Sequence, residues 1–185
     1  GRPSRTTTEK VSRAPPSSRA TRTTSGRCGS GSHATTFALS RPSAGAAVWK
    51  DHPQIFGGRD LQQHGSWLAV SKHGRLAAVT NVRRMATPDP RAPSRGRLVA
   101  EFVQGGDNAA DYAARLKENA DSYAGFNLLL YDGHDLRYVD NHPEFEDAAV
   151  APGVHALSNA QLDTPWPKSK RLRQALETWA GDKWE

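Results

Sequence analysis

The chain has 185 residues and a formal net charge of +6, from 25 lysines and arginines against 19 acidic residues. Its single cysteine, Cys28, excludes an internal disulfide framework and fits a reducing compartment. No apolar run approaches the ~18 residues of a transmembrane helix, so we expect no membrane span.

The basic excess lies in the first quarter of the chain. Residues 1–46 contain eight basic residues and one acid, whereas residues 47–185 contain seventeen basic and eighteen acidic residues. The large apolar residues of the first quarter are Val11, Phe37 and Leu39, too few to offset the entropy of ordering. We therefore predict that residues 1–40 form a disordered basic leader and that one domain covers residues 41–185.

Three interpretations of the leader remain open. A basic leader rich in serine and threonine is typical of an organellar transit peptide, but no apolar helical stripe is visible. A basic tail can bind nucleic acid, yet this one lacks interleaved aromatic residues, so we predict no nucleic-acid partner. The abundance of Arg, Ala, Pro, Ser, Thr and Gly favours a third origin, the out-of-frame translation of a GC-rich gene.

The first predicted elements of the body are a hairpin and two helices. Ser66–Val70 and Arg75–Asn81 are apolar runs separated by a polar turn, a pattern typical of paired strands. Ser94 is predicted to cap a helix that ends near residue 104, and Asn108 to cap a second helix that ends near residue 120. The helical side chains predicted to be buried are Leu98, Val99, Phe102, Tyr112, Ala113 and Leu116.

The second half of the body predicts further strands and a final helix. Phe126–Tyr131 is nearly continuously apolar and indicates a strand buried on both faces, with Leu136–Val139 as its partner across an Asp-Gly turn. Val154–Leu157 is predicted to be a short strand. Lys170–Ala180 is predicted to be an amphipathic helix, with an apolar stripe along one side. Strands paired by hairpins, with helices in groups, favour an α+β fold.

A rigid segment follows the last predicted strand. Residues 153–168 read Gly-Val-His-Ala-Leu-Ser-Asn-Ala-Gln-Leu-Asp-Thr-Pro-Trp-Pro-Lys, and two prolines around a tryptophan restrict the backbone. This segment resembles the signature Gly-Leu-Ser-Asn-x-x-Leu-Asp-Thr-Pro-Trp-Pro-Lys of the NRDE family, also called the transport and Golgi organisation protein 2 family. Further blocks resemble that family in the same order, at Gly57–Leu61, Gly65–Leu68, Thr80–Arg83, Ser94–Gly96 and Gly125–Leu129.

The resemblance implies an N-terminal-nucleophile (Ntn) hydrolase-like fold, an αββα sandwich of two stacked antiparallel sheets flanked by helices. In such enzymes the first residue of the mature chain attacks an amide carbonyl, and its own α-amine serves as the base. The family opens with Met-Cys and carries Asn-Arg-Asp-Glu before an Arg-Pro, whereas here His33–Leu39 precedes Arg41-Pro42. We therefore expect the first strand to be missing and the chain as written to have no amidase activity, with Cys28 an incidental thiol.

The resemblance also implies a set of site residues. In related acylases, asparagines at strand ends bind the substrate carbonyl or the oxyanion, which indicates catalytic roles for Asn81 and Asn159. Turn capping explains an asparagine at either position equally well. We predict that both asparagines face one cleft. The residues expected to bind substrate are Arg59, Asp60, Trp67, Arg83, Asp163 and Trp166.

Each of these residues could instead have a structural role, and we favour that role over substrate binding. Arg59 or Arg83 could hold a substrate carboxylate through two parallel hydrogen bonds. Asp163 could equally accept backbone amides ahead of the Thr-Pro-Trp sequence. Trp67 and Trp166 could be core aromatics rather than walls of an apolar pocket.

Two classes of function remain open. The first is a hydrolase or acyltransferase acting on an amide or thioester, with a cysteine nucleophile in the intact gene product. The second is a non-enzymatic binding or trafficking protein for an apolar ligand such as haem, a lipid or an acyl-CoA, which the resemblance implies. The seven histidines are scattered and no phosphate loop is present, so we expect no metal and no other cofactor. We expect a small-molecule partner and a cytoplasmic location.

Overall fold

The computed structural model describes residues 42–82, 89 and 91–181. They form an antiparallel sheet of seven strands, each beside its neighbour in sequence, and three α-helices. The strands are β1 (Ser43–Val48), β2 (Ile55–Asp60), β3 (Leu68–Ser71), β4 (Leu76–Asn81), β5 (Phe126–Tyr131), β6 (Leu136–Asn141) and β7 (Phe145–Ala149). The helices are α1 (Gly96–Gln104), α2 (Ala109–Lys117) and α3 (Pro167–Gly181). The predicted α+β class is confirmed, while the predicted leader lies outside the described residues.

The hydrophobic core lies between the sheet and helices α1 and α2, on what is here called the helix face. Alternate residues of the strands point into it, so Val79 of β4 and Leu128 of β5 are buried beside Leu98 of α1. Phe102 is fully buried, and its ring meets that of Tyr112 edge to face at 5.2 Å. This packing explains the predicted helical spacing, because the buried residues of both helices are the apolar ones at i, i+3 and i+4.

The two helices of the core begin in different ways. Asn108 caps α2 as predicted, since its Oδ1 accepts the N–H of Asp111 at 2.8 Å. The predicted Ser94 cap is wrong, because α1 begins after Arg95 and has no side-chain cap. The start of α1 is fixed instead by a backbone contact: a Cβ at Gly65 would lie 2.5 Å from the carbonyl carbon of Gly96. Only glycine fits at such an approach.

The opposite face of the sheet, here called the open face, is covered only in part. Residues 151–166, here called the signature segment, lie against its β4–β6 part and contact Thr80 and Asn127. Towards β1, by contrast, Phe56 and Leu68 are about half exposed, at 49% and 54%. The open face therefore changes from a covered polar region to an uncovered apolar one along the sheet.

The signature segment has no strand, so the prediction for Val154–Leu157 is wrong. Gly153 has a φ of +153°, and the N–H of Ala156 donates to the Asp163 carboxylate at 2.9 Å rather than to a neighbouring strand. Because the Asp163 carboxylate accepts the Ala156 N–H, that N–H is not available to a strand ladder, and the segment forms a compact loop.

Helix α3 confirms the predicted C-terminal helix, but its apolar stripe is open to solvent. Leu172, Leu176 and Trp179 are 57%, 40% and 58% exposed. Nor is the second sheet of the αββα sandwich confirmed, since the described residues form a single sheet. Of the helices described, none has the length and apolar character needed to cross a bilayer.

Candidate functional site

A polar cavity of about 330 Å³ opens where β2, β3 and β4 meet the start of α1. Asp60, Trp67 and Asn81, three of the predicted site residues, line this cavity together. Ser94 and Arg95 of the predicted Ser-Arg-Gly block line its other side. The antiparallel sheet brings these residues together because the end of β2, the start of β3 and the end of β4 lie at the same end of the sheet.

Asp60 holds the turn that shapes one wall of the polar cavity. The side chain is 3% exposed, and its Oδ1 accepts the backbone N–H groups of Gln62 and Gln63 at 2.9 and 3.0 Å. His64, which directly follows Gln63, has a φ of +55°, a left-handed conformation that costs energy in a residue other than glycine. The carboxylate therefore stabilises a strained turn beside the cavity.

Asn81 and Asn159 lie next to each other at the end of β4. The Nδ2 of Asn159 donates to the backbone oxygen of Asn81 at 2.8 Å, across 78 residues of sequence. Asn81 is exposed and lines the polar cavity, whereas Asn159 is not among the lining residues. One N–H of the Asn159 amide is therefore engaged with protein and a second N–H remains for a ligand.

A buried polar network joins strands β4 and β5 to the signature segment on either side of Asn159. Asn127 donates through Nδ2 to Thr80 Oγ1 and to the backbone oxygen of Ala160, both at 3.1 Å. Thr80 in turn donates to the Ser158 oxygen at 2.7 Å. Asn127 is fully buried, so water does not compete for its hydrogen bonds. The residues on either side of Asn159 are therefore held by the sheet itself.

The network continues into β6 through Tyr138. The Tyr138 hydroxyl lies 2.6 Å from Asp140 Oδ2 and 2.8 Å from Asn127 Oδ1. Burial, and then the hydrogen bond to Asp140, raise the pKa of Tyr138 far above its usual value, so the phenol stays neutral and remains a donor. Tyr138 and Asp140 could not be identified from the sequence, because polar residues two positions apart are common on any strand with one polar face.

A second polar cluster closes the signature segment on its far side. Asp163 has a φ of +60°, and His155 Nδ1 lies 2.7 Å from its Oδ2 while His155 Nε2 lies 2.9 Å from the Ala151 oxygen. The hydrogen bond to Asp163 raises the pKa of His155, since both ring nitrogens face acceptors. Burial alone would raise the pKa of Asp163, but the Ala156 N–H and His155 outweigh it and lower that pKa.

Arg59 lies away from the polar cavity, in a separate apolar cavity of about 370 Å³ beside β1 and β2. Its guanidinium pairs with both oxygens of Asp51, at 2.8 and 2.9 Å, and stacks on the Trp49 ring at 4.0 Å. The two terminal nitrogens that would grip a substrate carboxylate are thus already occupied by Asp51. Arg83, the other candidate cation, lies outside the described residues, as does Cys28.

The two candidate tryptophans differ in their surroundings. Trp67 is 46% exposed and lines the polar cavity, whereas Trp166 is 49% exposed and does not line it. Within residues 42–82, 89 and 91–181, no group of three His, Cys, Asp or Glu side chains is placed to hold a metal ion.

The chain is similar to proteins named for transport and Golgi organisation. Residues 38–185 match the family model described as Transport and Golgi organisation 2. The Transport and Golgi organization protein 2 homologs of cattle and human are each 35% identical to this chain, over 136 and 137 residues. The mouse homolog is 34% identical over 136 residues, and each alignment covers 69–70% of this chain and 49% of the relative. The chain thus spans about half the length of these relatives, and its matched region places it in the Transport and Golgi organisation 2 (NRDE) family.

Proposed function

We propose that the polar cavity is the substrate site of an Ntn-type hydrolase or acyltransferase acting on an amide or thioester. The proposal rests above all on the pairing of Asn81 and Asn159 beside a polar cavity. Amide N–H groups fixed in advance can stabilise the oxyanion of a tetrahedral intermediate without any protonation step. Asn81 lines the cavity; Asn159 lies beside it, outside the lining, and retains one N–H for a substrate that extends from the cavity, while Thr80 and Asn127 hold the residues on either side of Asn159.

Two other residues of the cavity lining supply a positive charge and an apolar surface for the substrate. Arg95 donates through Nη1 to the Gly125 oxygen at 2.8 Å, so its positive charge is held at the cavity wall, where it favours an anionic or carbonyl-bearing substrate. Trp67 offers a half-exposed ring against which an acyl or leaving group can pack. A nucleophile in this mechanism must be the terminal residue of the mature chain, as in the family's Met-Cys start.

The αββα sandwich belongs to the same proposal. The described sheet would be one of its two β layers, with α1 and α2 as the outer helical layer. Support comes from the open face, whose apolar residues from β1 to β4 are not buried by the described elements.

A hydrolysis assay on a variant that begins with Met-Cys, and so with cysteine once the initiator methionine is removed, tests the proposal. We expect turnover of a short-chain acyl thioester or an N-acyl amide, and a fall in kcat of about 10²–10³ for Asn159→Ala, the usual cost of one oxyanion donor. Asn119→Ala is the matched control, because Asn119 is an exposed asparagine away from the cavity. Turnover that is unchanged in Asn159→Ala would contradict the assignment of the oxyanion site.

The apolar cavity favours a second function, the binding of an apolar ligand such as haem or an acyl chain. Small side chains of β1 and β2 floor this cavity and the Trp49–Arg59 stack forms one wall, a mainly apolar lining with a few polar groups. Titration with haemin or a fluorescent fatty acid would measure this binding. Ala47→Phe should fill the cavity and weaken it, and equal affinity in that variant would exclude this site.

Such a binder could act in transport, the process after which the relatives are named. A cytoplasmic location, expected from the single cysteine, is part of the same proposal.

A further inference from the structure

Helix α3 contacts the signature segment along one side. Of the α3 side chains described, Ser169 is the buried one, at 7% exposed, and Arg173, one turn later, is partly buried. The guanidinium of Arg173 lies 3.5 Å from the Asp163 carboxylate. This contact sets the rotation of α3, so the residues on its other sides face solvent.

An exposed row of side chains follows on the neighbouring side of α3. Lys168, Leu172, Leu176 and Trp179 are spaced i, i+4, i+8 and i+11, which places them one above the other on a helix. The three apolar members of this row are between 40% and 58% exposed. A single exposed leucine needs no explanation, but three large apolar side chains in one row indicate a surface that meets a partner.

The positive charges of α3 are concentrated in its first half. Residues 167–181 contain Lys168, Lys170, Arg171 and Arg173 but only one acid, Glu177. In the part of the chain that the structure describes, no carboxylate pairs with Lys168, Lys170 or Arg171. The first turn has no acidic residue, although the positive end of the helix dipole lies there and disfavours cations. The cations therefore do not stabilise the helix itself, and they indicate an anionic partner.

The helix places two of its cations beside the apolar row and its acid on the far side. With about 100° of rotation per residue, Arg171 lies ~100° from Leu172, on the side away from the signature segment, with Ala175 between them. Lys168 lies only ~40° from Leu172, whereas Glu177 lies ~140° from it. A partner that covers the row thus meets two cations and no carboxylate.

This mixture of side chains decides between the possible occupants. A second β layer could cover Phe56 and Leu68 on the open face, but an apolar protein layer over the α3 row would also desolvate Lys168 and Arg171. A purely acidic surface would pair with the cations and leave the leucines without an apolar contact. An anionic lipid surface offers both contacts, because long cationic side chains reach the headgroups while the apolar residues enter the acyl chains. Tryptophan also favours this boundary, since its ring is apolar and its N–H is polar.

We propose that α3 lies flat on an anionic lipid surface, with the row from Lys168 to Trp179 towards the bilayer. The two leucines and Trp179 enter by about 5–10 Å, to the boundary of headgroups and acyl chains. Lys168 and Arg171 bind the anionic headgroups. The contact requires neither substrate turnover nor the apolar cavity, so its success or failure is independent of the proposed function.

Sedimentation of the full chain with phospholipid vesicles measures this contact. We expect binding to phosphatidylcholine vesicles with about 30% phosphatidylserine, and binding roughly tenfold weaker or less to phosphatidylcholine alone. Leu172→Ser should weaken binding to the anionic vesicles about tenfold, because it removes one inserted apolar side chain. Leu68→Ser is the matched control and should leave binding unchanged, since Leu68 is 54% exposed against 57% for Leu172 but lies on β3.

The two cations are tested by a double variant. Each cation near such a surface contributes roughly fivefold to binding, so Lys168→Gln combined with Arg171→Gln should weaken binding roughly 25-fold. Lys72→Gln combined with Lys117→Gln removes the same charge from two exposed lysines outside α3 and is the matched control. This control is needed because residues 1–46 contain eight basic residues and one acid, which attract any anionic surface. Circular dichroism checks that every variant folds.

Any of four results would overturn the proposal. Absence of binding to both kinds of vesicle would show that α3 does not meet lipid. Equal binding to both kinds would remove the role of the cations. Equal losses in the α3 variants and their controls would assign the binding to overall charge. A loss in the double α3 variant, with unchanged binding of Leu172→Ser, would mean that the cations serve an acidic partner without insertion into lipid.

Discussion

The buried amide of Asn127 gives the sharpest test of how the signature segment is held. In Asn127→Leu the side chain keeps a similar volume but loses the donors to Thr80 Oγ1 and to the Ala160 oxygen, and the acceptor beside the Tyr138 hydroxyl. Each hydrogen bond lost contributes ~1 kcal/mol, and a buried carbonyl left without a donor costs about 1–3 kcal/mol. We expect the free energy of unfolding to fall by about 3–4 kcal/mol.

Urea unfolding followed by circular dichroism measures this loss. With a slope near 1.5 kcal/mol per molar urea, the midpoint should fall by about 2–2.7 M at an unchanged slope. Asn119→Ala, on an exposed asparagine, is the matched control and should change the free energy of unfolding by no more than ~0.5 kcal/mol. Hydrogen exchange should also accelerate in residues 157–161 of the Asn127 variant. A loss below about 1 kcal/mol, with unchanged exchange there, would refute the view that this network holds the segment.

Three further predictions concern local features of the fold. Gly65→Ala should destabilise the protein by more than 2 kcal/mol in the same urea assay, because its Cβ would lie 2.5 Å from Gly96 backbone; a loss near zero would contradict the close approach. Asn108→Ala should remove the α2 cap and cost about 1 kcal/mol, and an unchanged midpoint would mean that the cap is dispensable. Because folding raises the pKa of His155, the protonated ring stabilises the segment fully below about pH 6.5, the pKa of the unfolded state. This stabilisation is lost as the pH rises through the folded pKa. Because folding lowers the pKa of Asp163, its carboxylate stabilises the segment above about pH 3.8, and this stabilisation is lost as the pH falls through the folded pKa. Protection factors for residues 155–163, which correct exchange rates for their intrinsic rise with pH, should therefore be greatest between about pH 4 and 6.5; a profile without this maximum would exclude the pair.

The sequence predicted the elements in which apolar residues recur at a clear period. Both hairpins, β3–β4 and β5–β6, and the Asn108 cap are confirmed because the relevant signals are local. Strands β1, β2 and β7 were not predicted. β1 is built from Ser, Gly, Ala and Val, β2 contains two glycines and β7 contains Glu146 and Asp147, so none shows a regular apolar alternation. Pairing with neighbours, rather than propensity, makes them strands.

The candidate site was predictable only to the level of which residues would approach each other. Asn81 and Asn159 do meet, but through the backbone oxygen of one and the amide of the other, and Asn159 lies in a loop rather than at a strand end. The pairing of Arg59 with Asp51 depends on a turn between β1 and β2 whose geometry no local pattern revealed. The support of the segment by Tyr138 likewise depends on the register of β5 and β6.

The order of the strands has a consequence for how the molecule assembles and opens. All neighbouring strands follow one another in sequence, so most pairings close short loops and cost little entropy. The Thr80–Ser158 and Asn81–Asn159 bonds instead close a loop of 78 residues and require β4, β5 and β6 to be in place first. The signature segment is therefore expected to dock last during folding and to detach first in the native state, while the sheet beneath it stays intact. Ligand entry near Asn159 could then proceed by local opening, without unfolding of the core.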